Sequence, residues 1–327
     1  MRPLMRFGTA TLIGRTNVGK STFLNRAMGE PLAITSPLPQ TTRDALLGVA
    51  QHGDAQIAFL DTPGVHHPRN ELGKRMNAAA YDSLQSADVF VMMTDAWAKT
   101  PKASRASAWT GEPKPLDSPW IRPGDKDVIR AIAEKNAPCI LVVNKVDISK
   151  DKSRLLPMLE AYSKAHEFAT IVPTSMRKDS GVTDLLDEIV KHLPEGPPGY
   201  DEDTLTNRPV LFFVREYIRE AILNQLVSEV PHAVAVSIDK ADEGEKLLRL
   251  GATIHVEKLG QRKIVVGKGG EQIKAIGISA RQRIEALVGK KVHLELFVRI
   301  TPEWKNISRQ LSELGYEAGD KTGGSNV

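Results

Sequence analysis

Short apolar runs separated by polar, glycine-bearing turns mark the first two thirds of the chain. They fall at 7–13, 56–60, 88–93, 139–143 and 170–173. Their lengths suit strands, and Cys139-Ile-Leu-Val-Val143 has no polar alternation, which predicts a strand covered on both faces. A helix is expected from Ser21 to Met28. Strands followed by helices predict an α/β domain, a mostly parallel sheet flanked by helices. The run at 88–93 carries no polar cluster and reads as core.

The pattern changes after Leu193-Pro-Glu-Gly-Pro-Pro-Gly-Tyr-Asp-Glu-Asp203, which reads as a linker. Beyond it come an amphipathic helix at 210–227, strand candidates at 233–238 and 253–258, a helix-like stretch from Glu271 to Ile276, and a final strand at 292–300. This predicts a smaller α+β domain. The expected boundaries are 6–193 for the first domain, 194–207 for the linker, 208–317 for the second domain and 318–327 for a flexible tail.

The chain has 327 residues, 41% of them hydrophobic, enough for two packed cores. No apolar stretch approaches the length that spans a membrane. A secretory signal is not expected, because the only apolar run near the start is short and leads into a glycine turn. Cys139, the single cysteine, lies inside a strand and forms no intramolecular disulfide, which fits a reducing cytoplasm. Charge is uneven. Residues before 206 hold 25 Lys+Arg and 25 Asp+Glu, and those from 206 onward hold 19 and 15. The whole net charge of +4 therefore lies in the second domain, and 258–291 alone sets nine basic residues against Glu271 and Glu285. A basic stripe so confined points to an anionic polymer.

Gly14-Arg15-Thr16-Asn17-Val18-Gly19-Lys20-Ser21, followed by Thr22, lies between the first strand and the first helix. A glycine turn entering a helix presents backbone N–H groups and the positive helix end to phosphates. Lys20 would reach the β and γ phosphates, and Ser21 would ligate Mg²⁺. Asp61-Thr-Pro-Gly64 follows the second strand. Asp61 can hold magnesium through a water, and the Gly64 N–H can approach the γ-phosphate. Asn144-Lys145-Val146-Asp147 ends the 139–143 strand. The Asp147 carboxylate accepts from guanine's ring N–H and amine, which adenine cannot supply, so GTP is selected over ATP. Asn144 would tie the base loop to the phosphate loop, and Lys145 would lie along the base plane. Ser175 and Met176, after the 170–173 strand, would close over the base.

Gln40-Thr41-Thr42-Arg43-Asp44 lies between the first two motifs. A Thr there can ligate magnesium only while the γ-phosphate is present, and Thr42 is favoured over Thr41. The segments 36–44 and 64–77 are the expected switches. Val65 stands where some small GTPases place a catalytic Gln, so no side chain is an obvious base. Asn17 can hold a monovalent cation against the phosphates, which predicts slow, K⁺-stimulated hydrolysis. His66 and His67 read as solvated. In the second domain, Gly267-Lys268-Gly269-Gly270 before a helix lets a nucleic-acid backbone pack on bare main chain, with Lys263, Lys268 and Lys274 as phosphate contacts. The order of elements around it resembles a type II K-homology (KH) domain.

Together the two halves resemble the Era family of ribosome-associated GTPases, over about residues 6–317. The likeness rests on the phosphate loop with Asn17, Thr41-Thr42-Arg43, Asp61-Thr-Pro-Gly64 with Val65, Asn144-Lys-x-Asp147 and Gly267-x-x-Gly270. It implies a Ras-like GTPase domain joined to a KH domain. The implied activity is GTP hydrolysis coupled to binding near the 3′ end of small-subunit (16S) ribosomal RNA, in maturation of the 30S subunit. It also implies a monomer in the cytoplasm with peripheral association to the inner face of the membrane. Three features depart from the family pattern: Thr16 in place of a common Pro, Met176 in place of a common Ala, and a long Pro-rich connection at 97–124, read as a disordered loop in preference to a docking surface. Two other readings stay open. One is an RNA-binding module with a vestigial GTPase. The other is a GTPase serving RNA modification or membrane-associated regulation, whose C-terminal domain docks another partner.

Overall fold

A computed structural model describes residues 5–38, 40–96, 115–148, 153, 155–226 and 230–316. The chain forms, in order, β1 (Arg6–Gly14), α1 (Lys20–Met28), β2 (Leu46–His52), β3 (Ala55–Asp61), α2 (Glu71–Asp82), β4 (Val89–Asp95), α3 (Pro123–Ala133), β5 (Cys139–Asn144), α4 (Leu155–Ala165), β6 (Thr170–Pro173) and α5 (Val182–Lys191). There follow α6 (Val210–Gln225), β7 (Ala235–Glu243), β8 (Leu247–Val256), α7 (Leu259–Val266), α8 (Glu271–Val288), β9 (Lys291–Ile300) and α9 (Ser308–Glu313). Two compact units result. One comprises 1–33, 42–67 and 76–207; the other comprises 34–41, 68–75 and 208–327.

The first unit is a six-stranded sheet in the order β2-β3-β1-β4-β5-β6, parallel except for the edge strand β2. All six residues of β5 are buried, as the unbroken apolar run requires of a strand with helices on both faces. Each fully buried Val, Leu or Ile there contributes about 1.5–3 kcal/mol. Cys139 is packed in this core, and burial pushes its thiol pKa far up. The strand order reverses direction around β1. In an open α/β sheet the crevice for a ligand therefore forms at the carboxyl ends of the strands flanking β1. Those ends are Gly14, Asp61, Asp95 and Asn144.

Three sequence expectations need correction. The strand expected at 88–93 runs on to Asp95, so its end does carry chemistry. In the long connection, residues 97–114 lie outside those described. Residues 115–124, however, are ordered against the core. Pro115–Asp117 forms a 3-10 turn, Ile121 is buried, Leu116 and Trp120 pack on the same cluster, and α3 starts at Pro123. A disordered loop does not describe that part. Strand β2 escaped the reading because Leu46-Leu-Gly-Val-Ala-Gln-His52 is short, mixed and interrupted by Gly48.

The second unit is a three-stranded sheet in the order β7-β8-β9, antiparallel then parallel, with α6 and α8 among its helices. Helix α6 ends at Gln225 rather than 227, which lies outside the described residues. It is not simply amphipathic, since Glu216, Arg219 and Glu220 are buried on it. The Arg219 guanidinium pairs with Glu216 and donates to the Thr41 carbonyl. Glu220 pairs with Arg283 at 3.2 Å and accepts from the Thr35 N–H at 3.1 Å. Trp304 is fully buried, donates its ring N–H to the Ala233 carbonyl at 3.1 Å and stacks on Tyr316. Strand β7 begins after a 3-10 turn at Val230–Ala233, two residues later than expected, and α8 extends three turns past Ile276. Among the described residues, no helix is long and apolar enough to cross a membrane.

Candidate functional site

The phosphate loop joins β1 to α1 through backbone that side chains resist. Gly14 has φ 152°, Asn17 62° and Gly19 111°. At Gly19 a Cβ would fall 2.2 Å from Asn144 Nδ2, so glycine is required for the two loops to meet. Lys20, buried at the start of α1, donates Nζ to the carbonyls of Gly14 (3.1 Å) and Arg15 (3.0 Å). Burial pushes its pKa down to about 8, an effect that the nearby Asp61 charge opposes. A buried ammonium held by two carbonyls at a helix N-terminus is a receptor for an anion.

Across from it, Asp61 closes β3. Its Oδ2 accepts from Ser21 Oγ at 2.6 Å and from Thr42 Oγ1 at 3.5 Å, and the two hydroxyls lie 2.8 Å apart. Its Oδ1 is buried with no hydrogen-bond partner, and burial pushes the carboxyl pKa up. Two hydroxyls converging on a carboxylate with an orphaned oxygen are an oxygen donor set suited to Mg²⁺. Thr41 is turned elsewhere and donates Oγ1 to the Leu38 carbonyl at 2.7 Å. The structure thus separates the two threonines that the sequence left close.

Gly64 lies against the phosphate loop, and the Val65 N–H donates to the Gly14 carbonyl at 3.0 Å. Val65 itself is buried. His67 is exposed as expected, whereas His66 is half-buried. Its Nδ1 lies 2.9 Å from the Gly64 carbonyl, which makes Nδ1 the donor, and its Nε2 is buried without a partner. Asn77 holds the His66 backbone on both sides, through its N–H (3.3 Å) and its carbonyl (2.6 Å). A nitrogen sealed from solvent cannot meet a water in this arrangement.

The residues expected to hold the base, Asn144, Lys145, Asp147, Ser175 and Met176, lie at the end of β5 and on the loops that follow β5 and β6. Asn144 donates Nδ2 to the Val18 carbonyl at 2.8 Å and accepts at Oδ1 from the N–H groups of Lys145 (2.7 Å) and Met176 (3.0 Å). Met176 acts here through its backbone, so a larger side chain in place of Ala leaves the contact intact. Ser175 donates Oγ to Asp147 Oδ1 at 2.6 Å, which with the charges of Lys178 and Arg177 holds the Asp147 pKa below the usual carboxylate range. An ionised, oriented and accessible carboxylate is what guanine's two donors require.

One part of the site was not legible. Asp95, at the end of β4, faces Arg15, Arg122 and Lys145 at 2.5, 3.6 and 3.7 Å. The position of an acid at a strand's carboxyl end was the available signal.

In the second unit, Gly267-Lys268-Gly269-Gly270 links α7 to α8, so the turn joins two helices. Gly267, Gly269 and Gly270 have φ of 75°, 61° and 84°. Gly270 caps α8, and Lys263, Lys268 and Lys274 are exposed nearby in sequence. Leu259, Ile264 and Ile278 add exposed apolar surface on the same two helices. Bare main chain, a helix N-terminus, lysines and apolar surface can take a single-stranded nucleic acid.

Fold and site together define a P-loop GTPase joined to a KH domain. Matching family models bear this out: "50S ribosome-binding GTPase" over residues 9–145 and "KH domain" over residues 229–305. GTPase Era of Lacticaseibacillus paracasei is 42% identical over 315 residues, covering 96% of this chain and 97% of that protein. GTPase Era of Xylella fastidiosa is 39% identical, covering 95% and 98%. Among solved structures, Era in complex with MgGDPNP and nucleotides 1506–1542 of 16S ribosomal RNA matches with a TM-score of 0.85 at 34% identity, covering 95% of this chain and 99% of that one. A variant of Aquifex aeolicus Era bound to GDP and aluminium fluoride matches with a TM-score of 0.84, also at 34% identity. The chain belongs to the Era family of GTPases.

Proposed function

We propose that this protein is a Mg²⁺-dependent GTP-hydrolysing switch that binds the 3′ end of small-subunit ribosomal RNA through its KH domain and acts in assembly of the 30S subunit. The observation that carries this reading is the likeness, over nearly the whole chain, to Era holding both MgGDPNP and that RNA segment. The donor set of Ser21, Thr42 and Asp61 supports the magnesium assignment. Magnesium, when bound, neutralises charge on the β and γ phosphate oxygens.

The protein's own groups do the rest. Backbone N–H groups of the loop from Gly14 to Ser21, with Thr22, cradle the phosphates, and Lys20 adds its charge at the β and γ positions. The Gly64 N–H meets the γ-phosphate. Asn144, Lys145 and Asp147, with Ser175 and Met176, hold guanine. Val65 leaves no glutamine to orient water, so catalysis rests on positioning and charge. Asn17 offers its amide oxygen to K⁺, which stands in for an arginine finger; equal rates in K⁺ and Na⁺ would refute that role. Gly267 to Gly270, Lys263, Lys268 and Lys274 take the RNA backbone. The protein works as a monomer in the cytoplasm, with peripheral association at the membrane's inner face.

The test is binding of a labelled rRNA 3′-end fragment with GDP, with a non-hydrolysable GTP analogue, and without nucleotide. Tightest binding with the analogue is expected. Equal binding in all three states would refute nucleotide control of the RNA site. RNA affinity should also fall steeply with salt, whereas a protein-docking surface would be less sensitive.

A further inference from the structure

Beside the phosphate loop lies a charged cluster in which the side chains of Arg15 and Asp125 have no role in the assignments above. Arg15 donates Nε to Asp125 Oδ1 at 2.9 Å and Nη2 to Asp95 Oδ1 at 2.5 Å, and its side chain is only 16% exposed. Asp125, in the first turn of α3, is fully buried. It also accepts from Tyr162 Oη (2.7 Å) and Thr94 Oγ1 (2.9 Å). The stem of Arg15 lies against the same turn, since a Cβ on Gly124 would fall 2.9 Å from Arg15 Cγ. The side chain is thus fixed along its length and committed to carboxylates of β4 and α3.

Its main chain is equally engaged. The Arg15 carbonyl accepts from Lys20 Nζ at 3.0 Å, and Arg15 forms a parallel bridge with Val65, the residue after Gly64. Asp95 extends the connection to the base side. Lys145 Nζ lies 3.7 Å from its Oδ2 and donates to the Asn17 carbonyl at 2.5 Å. A buried ion pair is weak evidence of a stabilising role, because apolar side chains of similar volume often do as well. A planar fork that bridges two carboxylates instead fixes direction.

We infer that Arg15 is a positioning residue for GTP hydrolysis. Its guanidinium, clamped between Asp95 and Asp125, sets the carbonyl that anchors Lys20 and the strand edge that carries Gly64. Asp95 shares that clamp with Lys145, so the phosphate and guanine halves of the site rest on one carboxylate. The inference deepens the active site proposed above and rests on its GTP assignment.

The test compares Arg15→Ala, Arg15→Lys, Asp95→Asn and the Arg15→Ala/Asp95→Asn double variant, by single-turnover GTP hydrolysis, GDP binding and thermal melting. Arg15→Ala should lose on the order of 10- to 100-fold in hydrolysis rate, as expected for reacting groups held slightly out of place, with a much smaller change in GDP affinity. Arg15→Lys keeps the charge but cannot bridge both carboxylates, and should recover part of the rate. Asp95→Asn keeps the shape and should slow hydrolysis while also weakening GDP, through Lys145. The double variant should be less impaired than the product of the two singles. A lowered melting temperature with an unchanged rate, in Arg15→Lys and Asp95→Asn if Arg15→Ala does not fold, would overturn the inference. So would equal losses in rate and GDP affinity for Arg15→Ala. Failure of the GTP assignment would be seen separately, as a wild-type protein that binds and turns over no GTP.

Discussion

Replacing Gly64 by Ala probes how closely the segment after β3 must lie on the phosphate loop. A Cβ there would fall 2.5 Å from both Thr16 Cα and Thr16 N, and 2.7 Å from Thr16 Cγ2. Two of these are main-chain atoms, so no change of rotamer relieves the overlap. Ordinary contact begins at 3.4 Å, and the two segments would have to part by about 0.9 Å. Gly64 is not among the residues with positive φ, so steric overlap alone drives the change. Parting the segments breaks the 3.0 Å bond from the Val65 N–H to the Gly14 carbonyl and withdraws the Gly64 N–H from the γ-phosphate position proposed above. A misplacement near 1 Å costs on the order of 100-fold in rate, about 2.7 kcal/mol in the barrier. The proposed guanine pocket, held by the bonds of Asn144 to the Val18 carbonyl and of Ser175 to Asp147, lies outside this overlap. Single-turnover hydrolysis should therefore slow by about that factor, while GDP binding, followed with a fluorescent analogue, changes little. Hydrolysis at the wild-type rate would refute the reasoning, because the overlap would then have been absorbed without moving the loop.

Asp147→Asn should cost GTP affinity on the order of 100-fold or more and move preference towards xanthine nucleotides; unchanged GTP affinity would sink the base-site assignment. Gly270→Asp sets a carboxylate on the turn proposed to take RNA phosphates, at a φ of 84° that disfavours side chains, and should weaken RNA binding with GTP affinity unchanged. Loss of both activities would instead mean a disturbed fold. His255 bonds Ser237 and Thr301 (3.0 and 2.8 Å), and burial, with the charge of Arg299, lowers its pKa below 6.5 against the opposing pull of Asp239. The neutral ring is therefore favoured in the fold. Its contribution is present above the unfolded pKa and lost as pH falls from there through the lower folded value, so the melting temperature should drop as pH falls below about 6.5. His255→Gln should flatten that slope, and an equal slope in both proteins would count against the assignment.

The motifs of the nucleotide site were legible because each couples residue type to a local conformation. Glycines at 14 and 19 and an Asn at 17 announce a turn with positive φ, while a mainly apolar run before Gly14 and an unbroken one before Asn144 announce buried strands whose ends carry the site. The Gly267–Gly270 turn and the basic stripe around it are local in the same way. What one chain segment does to itself can be read along that segment.

Contacts between distant segments could not be read this way. The sequence favours Thr42 over Thr41 without a firm local reason; the difference lies in which hydroxyl meets Ser21 and Asp61 once β3 and α1 are side by side. His66 reads as a solvated residue until Asn77 of α2 closes on its backbone. Asp95 looks like the tail of a core strand, and Asp125 like an ordinary helix-start acid, until packing brings both to Arg15. The sequence by itself determined every strand but β2, the glycine turns and the chemistry available at each. Only the tertiary structure decided which charges share a buried cluster, because burial and partner choice depend on segments about 80 and 110 residues apart in the chain.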